Sequence, residues 1–167
     1  MNNILVSSNG VLSFGGKAYR CALGKGGVRS DKAEGDGATP VGCFPIRKVF
    51  YRPDRSAHAP LTVFPTQALL QDDGWSDDVH LPEYNTFVKL PYGGSHEKLW
   101  RDDHLYDLIV TLGYNDDPPI AGKGSAIFMH IAREGYTPTA GCIALFQEDL
   151  LEILKTATTE TRVCIEE

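Results

Sequence analysis

The first two-thirds of this chain are dominated by short runs of β-branched and apolar residues, interrupted by clusters of Gly, Pro, Asn and Asp. Runs of this length predict strands, and the clusters between them predict turns. The predicted strands lie at residues 4–7, 11–14, 18–23, 43–51, 86–90, 106–114, 126–132 and 162–165. The sequence therefore predicts a mainly antiparallel sheet.

One helix is predicted near the C-terminus, because apolar residues recur there at helical spacing. The first turn of this helix is acidic, which suits the positive end of the helix dipole. The apolar residues are Phe146, Leu150, Ile153 and Leu154, and the first turn holds Gln147, Glu148 and Asp149.

The stretch 52–105 breaks the strand pattern. It is rich in Pro, Asp, Trp, Tyr and His and has weak periodicity. Long irregular stretches in a compact domain are usually functional. A chain of 167 residues fits one domain. We therefore interpret residues 1–167 as a single domain, with an elaborated insertion at about 52–105 over the active face.

Charge and hydropathy exclude two classes of partner. The chain has 16 basic and 22 acidic residues and no stripe of Lys or Arg that would attract a phosphate backbone. No apolar stretch approaches the roughly 20 residues of a membrane span. Residues 1–10 lack a basic segment and a signal-peptide core. We expect no nucleic-acid partner, no integral membrane segment and no visible export signal.

The cysteines and histidines do not have the spacing of a metal site. Cys21, Cys43, Cys142 and Cys164 are scattered, and no two histidines are three or four residues apart. Cys21 and Cys164 lie in strand-like runs, where we expect buried free thiols and no disulfide. The glycine-rich residues 24–27 lack the Lys-Ser/Thr of a phosphate-binding loop and predict a turn. We therefore expect no metal and no cofactor.

The segment 125–145 carries the candidate chemistry. His130 ends an apolar strand, and Cys142 follows Gly141 after a connection that contains Gly and Pro, so the two side chains can meet. An imidazole beside a thiol can take its proton and hold the thiolate, which is the nucleophilic form of cysteine. A lone His and a lone Cys are more often core residues, so the pair by itself does not decide between the two roles.

Two motifs resemble the YkuD-type L,D-transpeptidase catalytic domain. In that family a strand histidine precedes a Ser/Thr-x-Gly-Cys element, matched here by His130 and residues 139–142. Residues 39–44, Thr-Pro-Val-Gly-Cys-Phe, resemble the family's Thr-Pro-x-Gly-x-Phe strand entry. Likeness to a proteobacterial subgroup extends over most of the chain, at Asp77, Tyr84, Asn85 and residues 95–97, 99–100 and 124–127. The two motifs in order favour a catalytic Cys142.

This resemblance implies a mainly β fold, sandwich- or barrel-like, with one C-terminal amphipathic helix and a loop-rich insertion. It implies that Cys142 is the nucleophile, that His130 is its base, and that backbone amides near Gly141 hold the oxyanion. The substrates would be stem peptides of peptidoglycan, joined through a thioester and an acceptor amine. Family members use a backbone carbonyl to fix the histidine, and carbapenems acylate their cysteine.

The chain departs from the family pattern at Ala140, Ala144 and Ile131, where the family has His or Arg, Arg, and Gly. The contacts of those residues are not carried over, and the linkage formed could differ from the usual one. We hypothesise that Arg133 supplies the carboxylate contact that position 144 lacks, because an arginine fork suits a peptide carboxylate. Thr139, within the motif, is expected to contact substrate. A solvated loop arginine is the alternative for Arg133.

Four residues of the insertion are candidates for the wall of a substrate groove. Aromatic and histidine side chains pack well on peptides and glycans, although each is also suited to a core or a lid. These candidates are Trp75, Tyr84, His96 and Trp100.

Two alternatives to a transpeptidase stay open. A carboxypeptidase or amidase would use the same site with water as the acceptor, and a non-catalytic wall-binding module would keep the groove without needing the thiol. On substrate grounds we expect a location in the periplasm or cell envelope.

Overall fold

The computed structural model describes residues 2–167, so Met1, the first residue of the predicted domain, lies outside the described residues. Residues 2–167 form fourteen strands and one α-helix, α1 (Gln147–Thr156). The strands are β1 (Ile4–Ser7), β2 (Val11–Phe14), β3 (Lys17–Arg20), β4 (Val28–Arg29), β5 (Thr39–Pro40), β6 (Gly42–Tyr51), β7 (Thr66–Ala68), β8 (Asp73–Ser76), β9 (Phe87–Lys89), β10 (His96–Lys98), β11 (Leu108–Leu112), β12 (Phe128–Ile131), β13 (Ile143–Leu145) and β14 (Arg162–Glu166).

The main sheet is nearly closed into a barrel. Its strand order is β13-β12-β11-β6-β14-β1-β2-β3, and β7 pairs with β6. The two ends meet where Ala22, just after β3, exchanges both backbone hydrogen bonds with Ala144 of β13, at 2.8 and 2.9 Å. The predicted mainly β, barrel-like fold with one helix near the C-terminus is confirmed.

Three strand pairs of this sheet are parallel, although the turn-rich sequence predicts mainly antiparallel neighbours. They are β1 with β14, β12 with β13, and β6 with β7. A parallel pair needs a longer connection than a hairpin. Between β12 and β13 that connection is residues 132–142, which include the 3-10 turn Glu134–Tyr136. The parallel pairing therefore brings the predicted histidine strand beside the strand that follows the cysteine.

The strands β11, β12 and β13 are buried on both faces. One face points into the barrel, where Met129 and Ile143 belong to the main apolar core together with Leu150 of α1. The opposite face belongs to a second apolar cluster that contains Phe128 and Cys142. Strands covered on both sides read as continuous apolar runs, which is why this part of the sequence shows no alternation.

The cover over the outer face comes from residues 52–105. Here β10, β8 and β9 form a separate three-stranded sheet. Phe87 of β9 stacks on Phe50, with ring centroids 5.7 Å apart, and Trp75 of β8 meets Phe128 edge-on at 5.0 Å. Aromatic pairs at these separations add to the stabilisation from buried area. The stretch with weak periodicity is thus an ordered layer that packs on β6 and β12.

The expectation that Cys164 is a free thiol is wrong, because Cys164 of β14 forms a disulfide with Cys43 of β6. The two residues are direct partners in the antiparallel pairing of these strands. Because the two cysteines are 121 residues apart, no local sequence pattern predicts this pairing. Cys21 is buried and free, as expected.

Candidate active site

His130 of β12 and Cys142, the residue just before β13, point to the same side of the sheet. The parallel register pairs Met129 with Ile143 and His130 with Ala144. Because side chains alternate along a strand, Cys142, two positions before Ala144, points to the same side as His130. Both side chains line a cavity of about 410 Å³, a size typical of small-ligand pockets. The fold therefore brings the two residues of the predicted pair to one cavity.

The ring of His130 is fixed by a backbone carbonyl. Its Nδ1 lies 2.9 Å from the carbonyl oxygen of Ile131. A carbonyl only accepts, so Nδ1 carries the proton and Nε2 is the unprotonated nitrogen. Nε2 makes no hydrogen bond within residues 2–167. Burial lowers the pKa of His130 to about 4, so the ring is neutral at physiological pH and can act as a base.

The thiol of Cys142 is protonated, and it donates its hydrogen bond to a backbone carbonyl. Burial, followed by the charge of Glu97, raises the pKa of Cys142 to about 12. The thiol donates to the carbonyl of Ala126 at 3.2 Å, and the Phe128 amide donates to Sγ at 3.4 Å. The thiolate–imidazolium pair that the sequence suggests stays a prediction. For His130 to accept the thiol proton, Sγ would have to turn from the Ala126 carbonyl towards His130.

The turn before the nucleophile requires glycine at position 141. Gly141 has φ +138°, and a Cβ there would lie 2.8 Å from the carbonyl oxygen of Ala38. The buried hydroxyl of Thr39 donates to the carbonyl of Gly141 at 2.9 Å and accepts from the amide of Gly24, also at 2.9 Å. Thr39 of the Thr-Pro motif thus holds the turn before Cys142 in place, although the two motifs are far apart in the sequence.

The amide of Gly141 has a partner inside the protein. It donates to Oγ1 of Thr139 at 3.1 Å, and that hydroxyl donates to the carbonyl of Cys142 at 2.6 Å. The predicted oxyanion role therefore does not fall to a free Gly141 amide. The amide of Cys142 makes no hydrogen bond within the described residues 2–167 and is the donor left for an oxyanion.

Three carboxylates line the cavity and are held by hydroxyl groups. Glu34 accepts from Tyr84 at 2.7 Å and from Ser125 at 2.6 Å. Asp77 accepts from Ser95, and Glu97 accepts from Tyr106, both at 2.6 Å. The sequence alone indicates no role for Glu34 or Glu97, because residues 94–98 contain no alternating apolar residues that would mark a strand there.

Of the predicted substrate-binding residues, Thr139 and Arg133 line the cavity. The other four are not among its lining residues. Trp75 donates to Asn85 and packs on Phe128, and Tyr84 is buried behind Glu34. Trp100 lies under the guanidinium of Arg52, and His96 bonds to the carbonyl of Gly94. Tyr84 therefore contacts the cavity through Glu34, whereas the contacts of Trp75, His96 and Trp100 lie outside it.

Residues 2–167 contain neither a metal-binding cluster nor a membrane-crossing helix. In the part of the chain that the structure describes, no three His, Cys, Asp or Glu residues are placed to hold a metal ion. Between residues 2 and 167, no helix has the length and apolar character needed to cross a membrane.

The comparison with protein families agrees with the two motifs. The L,D-transpeptidase catalytic domain of the YkuD family matches residues 5–165. The crystal structure of the helical cell shape determining protein Pgp2 from Campylobacter jejuni has a TM-score of 0.44 and 17% identity to this chain. The match covers 98% of this chain and 46% of that one, so the chain spans less than half of that protein. No curated protein matches the sequence.

Proposed function

Because this chain belongs to the YkuD family of L,D-transpeptidase catalytic domains, we propose that it cross-links peptidoglycan stem peptides by acyl transfer through Cys142. The observation that carries the proposal is that His130 of β12 and Cys142, just before β13, line one cavity from the same side of the sheet. The bond from Nδ1 of His130 to Ile131 directs the basic nitrogen away from the backbone. Cysteine acyl transfer needs a nucleophile, a base and an acceptor that orients the base. In our proposal these are Cys142, His130 and the carbonyl of Ile131.

The first half-reaction forms a thioester. Sγ of Cys142 attacks the carbonyl carbon of an L,D peptide bond while its proton passes to Nε2 of His130. The amide of Cys142 donates to the oxygen that becomes negative. When the C–N bond breaks, the imidazolium returns the proton to the leaving amine. The products are an acyl-enzyme and a free terminal residue.

The second half-reaction releases the acyl group. An amine from a second stem peptide loses a proton to His130 and attacks the thioester, so a new amide replaces the C–S bond. The sulfur then leaves as the thiolate and recovers the proton. Water in place of the amine would give a carboxypeptidase or amidase with the same residues.

Arg133 is our candidate for a substrate carboxylate. It lines the cavity, is exposed, and makes no ion pair within residues 2–167. An arginine without a partner can form two parallel hydrogen bonds to a carboxylate. Arg133 follows β12 and lines the same cavity as Ala144. The family has an arginine at the position of Ala144.

The disulfide supports our proposal of a periplasmic or envelope location. Cys43 and Cys164 link β6 to β14. Disulfides form and persist in the bacterial periplasm and are rare in the cytosol. Peptidoglycan stem peptides lie in that same compartment.

The test is product analysis by mass spectrometry with a stem tetrapeptide, with and without an acceptor amine. We expect a transient thioester on Cys142, release of the terminal D-residue, and a cross-linked product when the amine is present. Release of the D-residue with only the hydrolysed peptide, even at high amine concentration, would contradict transfer. Absence of any thioester would contradict the mechanism.

A further inference from the structure

Asn85 is a buried residue of the insertion, and its side chain makes four hydrogen bonds. Its Oδ1 accepts from the indole of Trp75 and from the amide of Ala126, both at 3.0 Å. Its Nδ2 donates to the carbonyls of Tyr114 and Asn115, at 3.1 and 2.7 Å. A side-chain amide has two donors and one oxygen with two lone pairs, so these four bonds use all of its positions and fix its orientation.

The bond from Ala126 holds the backbone in a conformation that alanine rarely adopts. Ala126 has φ +54°, in the left-handed region, where a residue with a Cβ is disfavoured. A residue persists in such a conformation only when its surroundings fix it. Within residues 2–167 the amide of Ala126 has one hydrogen-bond partner, Oδ1 of Asn85. Asn85 therefore helps to keep Ala126 at its positive φ.

The carbonyl of Ala126 is the acceptor for the thiol of Cys142. Sγ donates to this oxygen at 3.2 Å, and in the part of the chain that the structure describes it makes no hydrogen bond to His130. Relaxation of Ala126 to a negative φ would redirect the carbonyl, and the thiol would lose its acceptor. Two hydrogen bonds, one at the amide and one at the carbonyl of Ala126, thus connect Asn85 to the sulfur.

The charges that face the thiol are separate from this connection. Glu97 raises the pKa of Cys142 and Lys32 lowers it, and both line the catalytic cavity. Neither of them is a hydrogen-bond partner of Asn85 among the described residues. A substitution at position 85 therefore leaves these charges in place and acts on the thiol through its acceptor.

We propose that Asn85 is a positioning residue for acyl transfer, which holds the Ala126 carbonyl where the Cys142 thiol donates to it and so sets the resting position of Sγ. The inference rests on the proposed function, because that function makes Cys142 the nucleophile. Hydrogen bonding by the protonated form of a group disfavours its charged form. Asn85 thus keeps the sulfur neutral until a substrate fills the cavity, and it acts through Ala126 without touching the reacting atoms.

The experiment records the S–H stretching band by infrared spectroscopy in a Cys21→Ala background, where Cys142 is the one free thiol left among residues 2–167. A thiol is a weak donor, and its band moves to lower wavenumber when it donates. We expect the band of a donating thiol in this background. In Asn85→Gly, where glycine accepts the positive φ of position 85, the band should move to higher wavenumber. Asn85→Asp keeps the oxygen that accepts from Ala126 and should keep the band.

Asn115→Gly is the matched control. Asn115 also has a positive φ, of +51°, and its side chain bonds to the backbone of Ile120 and Gly124 and not to Ala126. We expect this variant to keep the S–H band of the background, because the Ala126 amide retains its partner.

Alkylation by iodoacetamide at pH 8 gives a second readout, in chains that retain Cys21. Cys142 should react about two- to tenfold faster in Asn85→Gly than in the wild type, as for the loss of one hydrogen bond. Cys21, which is buried elsewhere, should stay unmodified in both and reports whether the fold is intact.

An unchanged S–H band in Asn85→Gly, or an equal shift in Asn115→Gly, would overturn the inference. If Cys21 also reacts in Asn85→Gly, that variant has lost its fold, and hydrogen exchange of the wild type decides. Slow exchange of the Ala126 amide would then support the inference, and exchange as fast as that of an unbonded amide would overturn it. Failure of a carbapenem to acylate wild-type Cys142 would instead contradict the proposed function and would leave the S–H band unchanged.

Discussion

The two faces of β12 and β13 differ in what their side chains contact. Towards the barrel, Met129 and Ile143 pack on other apolar residues and on α1. Towards the cavity, His130 and Cys142 are buried without an ion pair and have pKa values far from their usual ones. The inner face stabilises the fold by burial of apolar area. The outer face holds polar groups in neutral forms, ready for a proton transfer.

The largest expected effect is on the outer face. His130→Gln should lower the rate of acylation of Cys142 by about 100- to 10,000-fold, because it removes the base. The free energy of unfolding should change little. His104→Gln, an exposed histidine paired with Asp107, is the control and should keep full activity. Equal rates for His130→Gln and the wild type would show that the base lies elsewhere.

The pH dependence of the acylation rate in the wild type follows from His130. The imidazole is active only when neutral, and its pKa of about 4 means that it stays neutral down to nearly that pH. The thiol, with a pKa of about 12, does not titrate between pH 6 and pH 9. We therefore predict that the acylation rate stays level from about pH 5 to pH 9 and falls as the pH approaches about 4. A midpoint near pH 6.5 would contradict a buried, neutral His130.

On the inner face, Ile143→Ala should affect stability and leave the chemistry alone. Ile143 is fully buried in the main core. Loss of its side chain should lower the free energy of unfolding by about 2–5 kcal/mol, measured by urea denaturation. The acylation rate per folded molecule should equal that of the wild type. A large loss of acylation rate without a loss of stability would contradict the separate roles of the two faces.

Thr39→Val tests the contact that joins the two motifs. The change leaves the Gly24 amide and the Gly141 carbonyl unpaired, which should cost about 1–3 kcal/mol of unfolding free energy. It should also slow acylation, since the turn before Cys142 loses its brace. Thr111→Val is the matched control, because that buried hydroxyl makes one bond of 3.3 Å far from the turn. Equal effects of the two changes would remove the special role of Thr39.

The smallest expected effect is that of Arg133→Ala, because Arg133 is exposed. We predict that KM for a stem peptide rises by up to about tenfold with kcat unchanged, as for a lost contact to a carboxylate. Arg162→Ala, an exposed arginine on β14, should leave KM unchanged. If Arg133→Ala has the same turnover and affinity as the wild type, the proposed carboxylate contact is contradicted.

The sequence predicts the local elements well and the long-range contacts poorly. The strand pattern locates β1, β2 and β6, and helical spacing locates α1, because these signals come from neighbouring residues. The disulfide joins residues 121 positions apart, and no local pattern marks it. The resting bond of the thiol to Ala126 depends on a backbone carbonyl, which every residue has. Glu97 reaches the cavity only because β10 folds over the outer face.

The most direct test of the account is intact-mass spectrometry after incubation with a carbapenem. We predict one covalent adduct on the wild type and on Cys21→Ala, which lacks the other free thiol. No adduct should form on Cys142→Ala, because that variant has no nucleophile in the cavity. An adduct that persists in Cys142→Ala, or a wild-type protein that stays unmodified, would contradict the role of Cys142.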